Sequence, residues 1–169
     1  MNKILIRTIF PFVVVITSAI SSFAQDCKLK KMTDEVTGKP KATTGFIKLQ
    51  GAILTIDATS AGFDYFFVVK NPTTACFIEA SEVALVFEDE RRNQEIRNAG
   101  STNCDGIFHL NFRGASVTPA VVKKLATKKL LSFIFTDRNE RKIPISLTPD
   151  QQQLLMKLSN CMAEEAKTL

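Results

Sequence analysis

Residues 118–162 read TPAVVKKLATKKLLSFIFTDRNERKIPISLTPDQQQLLMKLSNCM, and this stretch decides the fold. Its two ends carry the same helix-start grammar. At Thr118-Pro119 a threonine can accept the free amides of a first helical turn and a proline supplies the fixed φ of the first helical residue, after which Val121, Val122, Leu125 and Ala126 give an apolar stripe. At Thr148-Pro149-Asp150-Gln151 an N-cap, an N1 proline, a first-turn acid and a capping-box glutamine precede a stripe of Leu154, Leu155, Leu158, Cys161 and Met162. Between the two helices, residues 130–136 and 142–147 read as strands joined by the turn Asp137-Arg138-Asn139-Glu140. Pro144 cannot donate to a strand ladder, so the second of these is expected at a sheet edge.

Everything upstream reads as strands. Phe108, Leu110 and Phe112 alternate with His109, Asn111 and Arg113, a period of two. Val83, Leu85 and Phe87 alternate likewise, a charged turn at residues 88–92 follows, and Gln94-Glu95-Ile96-Arg97 returns as a polar edge strand. The run from Phe63 to Lys70 is rich in aromatic and β-branched residues. Phe63, Tyr65, Phe67 and Val69 share one face and Phe66 and Val68 the other, which predicts a central strand covered on both faces. Two further strands lie on either side of Gln50-Gly51, breaks fall at residues 58–62 and 71–74, and residues 26–44 read as a polar arm pinned by Cys27. Strands followed by helix, strand, strand, helix give an α+β domain: an antiparallel sheet of six to eight strands with both helices on one face. A two-sheet sandwich with appended helices is the alternative.

Residues 1–24 have the grammar of a cleaved signal peptide. Lys3 and Arg7 stand at its head, an apolar run follows, and Ser22 and Ala24 are the small residues at −3 and −1. The unbroken apolar run from Ile9 to Ile16 is short of the roughly 20 residues that span a bilayer, so cleavage is expected over anchoring, with no transmembrane segment in the mature chain. Cleavage of the 169-residue chain leaves residues 25–169 as one exported domain, periplasmic or secreted, with enough chain to bury a core. Apolar residues at 45% and charged residues at 23% exclude collagenous and disordered classes.

All four cysteines follow the leader, and an even count in an exported chain points to two disulfides. Three pairings are possible. The expected one joins Cys27 to Cys161, tying the termini, and Cys76 to Cys104, closing a local excursion. No Cys-x-x-Cys is present for redox exchange, and no two cysteines stand at zinc-ligand spacing.

Charge is uneven along the chain. Residues 113–142 hold eight Lys or Arg against Asp137 and Glu140, whereas residues 79–95 hold six acids against Arg91 and Arg92. The leader accounts for two of the 22 basic residues, so the mature chain carries 20 against 17 acids. The asymmetry suggests a basic surface of Lys123, Lys124, Lys128, Lys129, Arg138, Arg141 and Lys142 facing an acidic protein or an anionic lipid or glycan. Solvated helix and hairpin surfaces that merely collect charge are the plainer reading.

Catalytic vocabulary is sparse: one His, one Tyr and no Trp. His109 would have to serve any triad, and its strand position predicts an outward-facing ring. No metal-ligand series, phosphate loop, nucleophile elbow or dinucleotide fingerprint is present, so no cofactor or metal is expected. Nucleic acid is not an expected partner, because no exposed aromatic platform accompanies the basic residues. Phe63, Phe66 and Phe67 could line an apolar pocket but are expected in the core. These readings favour a non-enzymatic binding module of the cell envelope, with a small hydrolase using carboxylates or His109 as the alternative.

A leader ending in Phe23-Ala24-Gln25, an early Cys27 followed by Asp34-x-x-Thr37-Gly38-Lys39, and a closing Arg141-Lys142-Ile143-x-Ile145 strand leading into a helix with Cys161 resemble small exported proteins of unknown function from Gram-negative Bacteroidota. The resemblance implies a periplasmic or outer-envelope setting. It brings no catalytic or binding residues with it.

Overall fold

The computed structural model describes residues 27–35, 37–70, 75–114 and 118–169. The expected leader and the break at residues 71–74 lie outside the described residues. The class is α+β, as expected, with the strands divided between two antiparallel sheets, an arrangement nearer the two-sheet alternative than a single sheet. One sheet has six strands: β1 (Lys30–Thr33), β2 (Pro40–Thr43), β3 (Ile47–Leu49), β4 (Ala52–Thr59), β5 (Gly62–Val69) and, after an intervening pair, β8 (Ile107–Arg113). Its order is β1-β2-β4-β5-β8, and β3 also pairs with β4. The other sheet runs β10-β9-β6-β7, from β6 (Glu82–Phe87), β7 (Gln94–Arg97), β9 (Leu130–Thr136) and β10 (Lys142–Ser146). β7 and β10 are its two edges, as their polar and proline-bearing sequences predict.

The inner faces meet through aromatic rings. Phe67 of β5 lies 4.9 Å from Phe133 and 5.2 Å from Phe135 of β9, edge to face, and Phe108 of β8 lies 5.1 Å from Phe135. Phe77, held between the sheets by its two-way backbone pairing with Asn103, adds a T-shaped contact to Phe108. Edge-to-face pairs align the positive ring edge with the negative face and add to the gain from burial itself.

Helix α1 (Ala120–Thr127) and helix α2 (Pro149–Glu165) pack on each other, and α2 covers the part of the inner face formed by β2 and β4. The start of α2 is the expected capping box: Thr148 Oγ1 accepts the Gln151 amide at 3.3 Å, and Gln151 Oε1 accepts the Thr148 amide at 3.0 Å. Of the expected α2 stripe, Leu155, Cys161 and Met162 are buried, Leu158 packs partly buried against the core, and only Leu154 departs. Leu155, Ser159, Met162 and Ala166 recur at i, i+4, i+7 and i+11 and face the core, whereas Leu154 is exposed, since one residue's step turns it 100° away. The start of α1 also differs. Pro119 is itself the N-cap, extended at ψ 144°, with its carbonyl accepting the Lys123 amide, and no side chain caps the helix. Thr118 does not serve, because the extended Pro119 puts the first helical residue at Ala120.

Both disulfides close as expected, Cys27 to Cys161 and Cys76 to Cys104, leaving no free cysteine. The first ties the segment before β1 to α2, where Lys31 also pairs with Glu165 at 2.6 Å. Two closed disulfides indicate an oxidising, extracytoplasmic location. Among the described residues no helix is long and apolar enough to cross a membrane.

Candidate functional site

β5 is central, flanked by β4 and β8, yet among the described residues only one of its faces is covered. Phe63, Tyr65 and Phe67 are fully buried, whereas Phe66 and Val68 are 39% and 42% exposed. The expectation that both faces are covered is thus corrected: the second sheet and the helices all lie on the inner side. Phe66 accordingly leaves the core that Phe63 and Phe67 share.

Strand alternation and register order the outer face into rows across the sheet. Ile53, Val68 and Ile107 stand side by side on β4, β5 and β8, with Lys48 of β3 beyond Ile53. Thr55, Phe66 and His109 form the next row, and Asp57, Asp64 and Asn111 the one after. Phe46, immediately before β3, is 85% exposed. The result is one apolar row with Phe66 beside it, bordered beyond Phe66 by the carboxylates of Asp57 and Asp64.

The carboxylate row is wired internally. Asp64 Oδ1 accepts from Asn111 Nδ2 and lies 2.7 Å from His109 Nε2, and the His109 ring stacks on Phe66 at 4.2 Å. Burial of Asp64 works to raise its carboxyl pKa, but the His109 and Asn111 hydrogen bonds and the neighbouring Arg113 charge outweigh it, holding the group below the ordinary 3.8. Asp57 pairs with Lys41 at 3.1 Å through Oδ2. Its buried Oδ1 has no hydrogen-bond partner among the described groups. His109 therefore lies on the outer face, as its strand position predicts, with its ring only 19% exposed between Phe66 and Asp64. Among the described residues, no three His, Cys, Asp or Glu side chains gather as a metal site.

The seven basic residues singled out in the sequence fall into two groups at opposite ends of β9, a seven-residue strand about 20 Å long. At its start, Lys124 and Lys128 hold the two oxygens of Glu90 at 2.5 and 2.7 Å, and Lys129 pairs with Glu88 at 3.3 Å. Lys124 also lies 4.8 Å over the Phe87 ring. Lys123 is exposed on α1. At the other end, Arg141 is bound to Asp137 at 2.6 Å, and Arg138 and Lys142 line an open cleft of about 570 Å³ with Glu82, Glu95 and Glu140. The acidic segment supplies most of these partners because β6 pairs with β9 along its length.

The open face has a weak sequence signal, namely that Phe66, Val68 and Ile107 are apolar at positions alternating with the core. That pattern equally describes a strand buried on both sides. Phe46, beside Gly45 with its positive φ, gives no such signal. Comparison with family models, with curated proteins and with solved structures finds no match to this chain.

Proposed function

We propose that the chain is an exported, non-enzymatic binding module of the cell envelope, periplasmic or secreted, and that its contact face is the outer face of the six-stranded sheet. The observation that carries the reading is the exposure of Phe66, Val68 and Ile107 on one side of the adjacent strands β5 and β8, with Phe46 exposed just before β3. Contiguous exposed apolar surface on a disulfide-braced domain supports a role in contact with another component. The seven basic residues support an anionic partner less well, since four of them are held by acids of the same chain.

The test is a crosslinked pull-down with the tagged mature protein at low micromolar concentration from its native envelope fraction. A saturable partner lost in Phe46→Ser/Phe66→Ser but retained in Lys123→Glu/Arg138→Glu/Lys142→Glu is the expected result. Loss in the charge variant alone would move the contact to the basic residues.

A hydrolase reading is favoured by one observation, the 2.7 Å contact of His109 Nε2 with Asp64. It predicts a turnover, found in a screen of ester, amide and glycoside substrates, that His109→Ala abolishes. The stacking of His109 on Phe66 and its small exposure favour the binding module.

A further inference from the structure

Two basic residues stand side by side at five places after the leader, and four of these pairs are held by the fold. Lys30-Lys31 lies in β1 and Lys123-Lys124 in α1. Lys128 and Lys129 are bound by Glu90 and Glu88, and Arg141, ahead of Lys142, is bound by Asp137. Arg91-Arg92 is the exception. Both side chains are exposed in the turn between β6 and β7, and among the described residues neither they nor Asn93 make an ion pair or a hydrogen bond.

That turn is anchored on one side. The Glu88 amide donates to the Lys129 carbonyl, and Lys124 and Lys128 hold the Glu90 carboxylate. Beyond Glu90 the chain runs without such ties to Gln94, where β7 begins, a four-residue strand at the edge of its sheet and paired only to β6. A short edge strand opens at little cost, so residues 91–94 can be drawn out into the extended form that an endopeptidase binds.

We propose that the β6–β7 turn is a proteolytic processing site, cut after Arg91 or Arg92 by an endopeptidase whose specificity pocket carries a carboxylate for the arginine guanidinium. Exposed loop tips are where folded chains are nicked, and a guanidinium meets a carboxylate through two parallel hydrogen bonds. Hydrolysis breaks the peptide C–N bond, with water giving its hydroxyl to the arginine carbonyl carbon and its proton to the departing amine. The disulfides decide what the product is. Cys27 and Cys76 precede the cut while Cys104 and Cys161 follow it, so both bridges span it and the two chains stay covalently joined. The β5–β8 and β6–β9 ladders span it as well, which keeps the core and the outer face of the six-stranded sheet in place. Only the β7 edge is loosened, since β7 becomes the first strand of the second chain.

Limited digestion of the oxidised mature protein with trypsin tests the site, because trypsin also cuts after lysine and is offered every exposed cation at once. Mass spectrometry of the protein from its native envelope fraction tests its use. The expected first product is heavier by one water and runs as one species without reductant. With reductant it separates into a fragment ending at Arg91 or Arg92 and one running on to Leu169. Arg91→Gln/Arg92→Gln, at exposed positions without partners, should slow that first cut at least tenfold with unchanged circular dichroism. The native protein should show the same chain ends. A first cut elsewhere overturns the proposal, as does a double variant cut as fast as wild type. Native protein that is intact across residues 90–93 overturns it too, since the turn is then accessible but not processed.

Discussion

Tyr65 is the only tyrosine, fully buried, with its hydroxyl 3.4 Å from Ser159 Oγ of α2. Burial pushes its phenol up to about 12, against a smaller opposing effect of the Ser159 contact. The folded pKa is raised above the unfolded value of about 10, so the associated stability is complete below pH 10 and is lost as pH climbs toward 12. The two-unit difference corresponds to about 3 kcal/mol. The ultraviolet titration of this single phenol should therefore coincide with alkaline unfolding; a separate phenolate transition near pH 10 in the folded protein would refute its burial. Asp137 works at the acid end of the scale. Its buried carboxylate accepts the amides of Asn139 and Arg141 and the Arg141 guanidinium, closing the β9–β10 turn. Burial works to raise its pKa, but the Arg141 and Asn139 hydrogen bonds outweigh it and hold it below 3.8, so its contribution is present above that pH and is lost as pH falls through the depressed value. Asp137→Ala leaves these donors without their acceptor and should cost about 1–3 kcal/mol in urea unfolding at pH 7, with the gap from wild type narrowing at the lowest pH. A constant gap down to the lowest pH would remove the carboxylate's charge from the explanation.

At the scale of elements, glycines set how closely strands approach. Gly62 opens β5 at φ +152°, and a Cβ there would stand 2.1 Å from the carbonyl oxygen of Phe112 on β8. Gly38 has φ +67° in the β1–β2 turn with open space around it. Gly62→Ala should thus cost about 3 kcal/mol or more, combining backbone strain with a clash against backbone that is fixed by pairing. Gly38→Ala should cost about 1 kcal/mol, the strain alone. Equal melting temperatures for the two variants would show that β8 yields at this contact. Elements with a strong period, a cap or a proline were readable from sequence: β6 to β10, β5 and α2 all stand where patterning puts them. The β1–β2 hairpin was not, because Lys30–Thr33 is exposed at every position and carries no alternation. What holds it is non-local, the pairing of β2 to the last residues of β4 and the anchors to α2 at Cys161 and Glu165. The open face was hidden for a related reason, since alternation says which residues share a side but not whether anything covers it.

Across the whole molecule, pairing converts a charge asymmetry in sequence into local neutrality. The acidic turn after β6 and the basic residues before β9 become neighbours, and Glu88 and Glu90 are paired there. No reading along the chain reveals this, because it depends on which strands are adjacent. The two disulfides act at the same scale but on different parts of the fold. Cys27–Cys161 closes a separation of 134 residues and Cys76–Cys104 one of 28, so the chain-entropy contributions are at most about 5 and 3.6 kcal/mol. Their structural consequences diverge further. Without Cys27–Cys161 the β1–β2 edge keeps the β2–β4 ladder and an exposed Lys31–Glu165 pair, and such a pair is worth little. Without Cys76–Cys104 the segment beside β8 keeps several anchors. Asn103 exchanges hydrogen bonds with the Ile107 backbone, Asn98 Oδ1 accepts the His109 amide, and Ala99 donates to the His109 carbonyl. Loop length and local anchoring therefore act in the same direction. Cys27→Ser/Cys161→Ser should lower Tm more than Cys76→Ser/Cys104→Ser, by about 3–6 °C for the difference of roughly 1.4 kcal/mol between the two entropic contributions. Amide exchange should quicken first in β1 and β2, while β5 and β8 stay protected at nearly the global stability. If removal of Cys76–Cys104 proves the more damaging, the segment beside β8 depends on its covalent tie more than on its asparagines, and that edge of the proposed contact face is held by the disulfide.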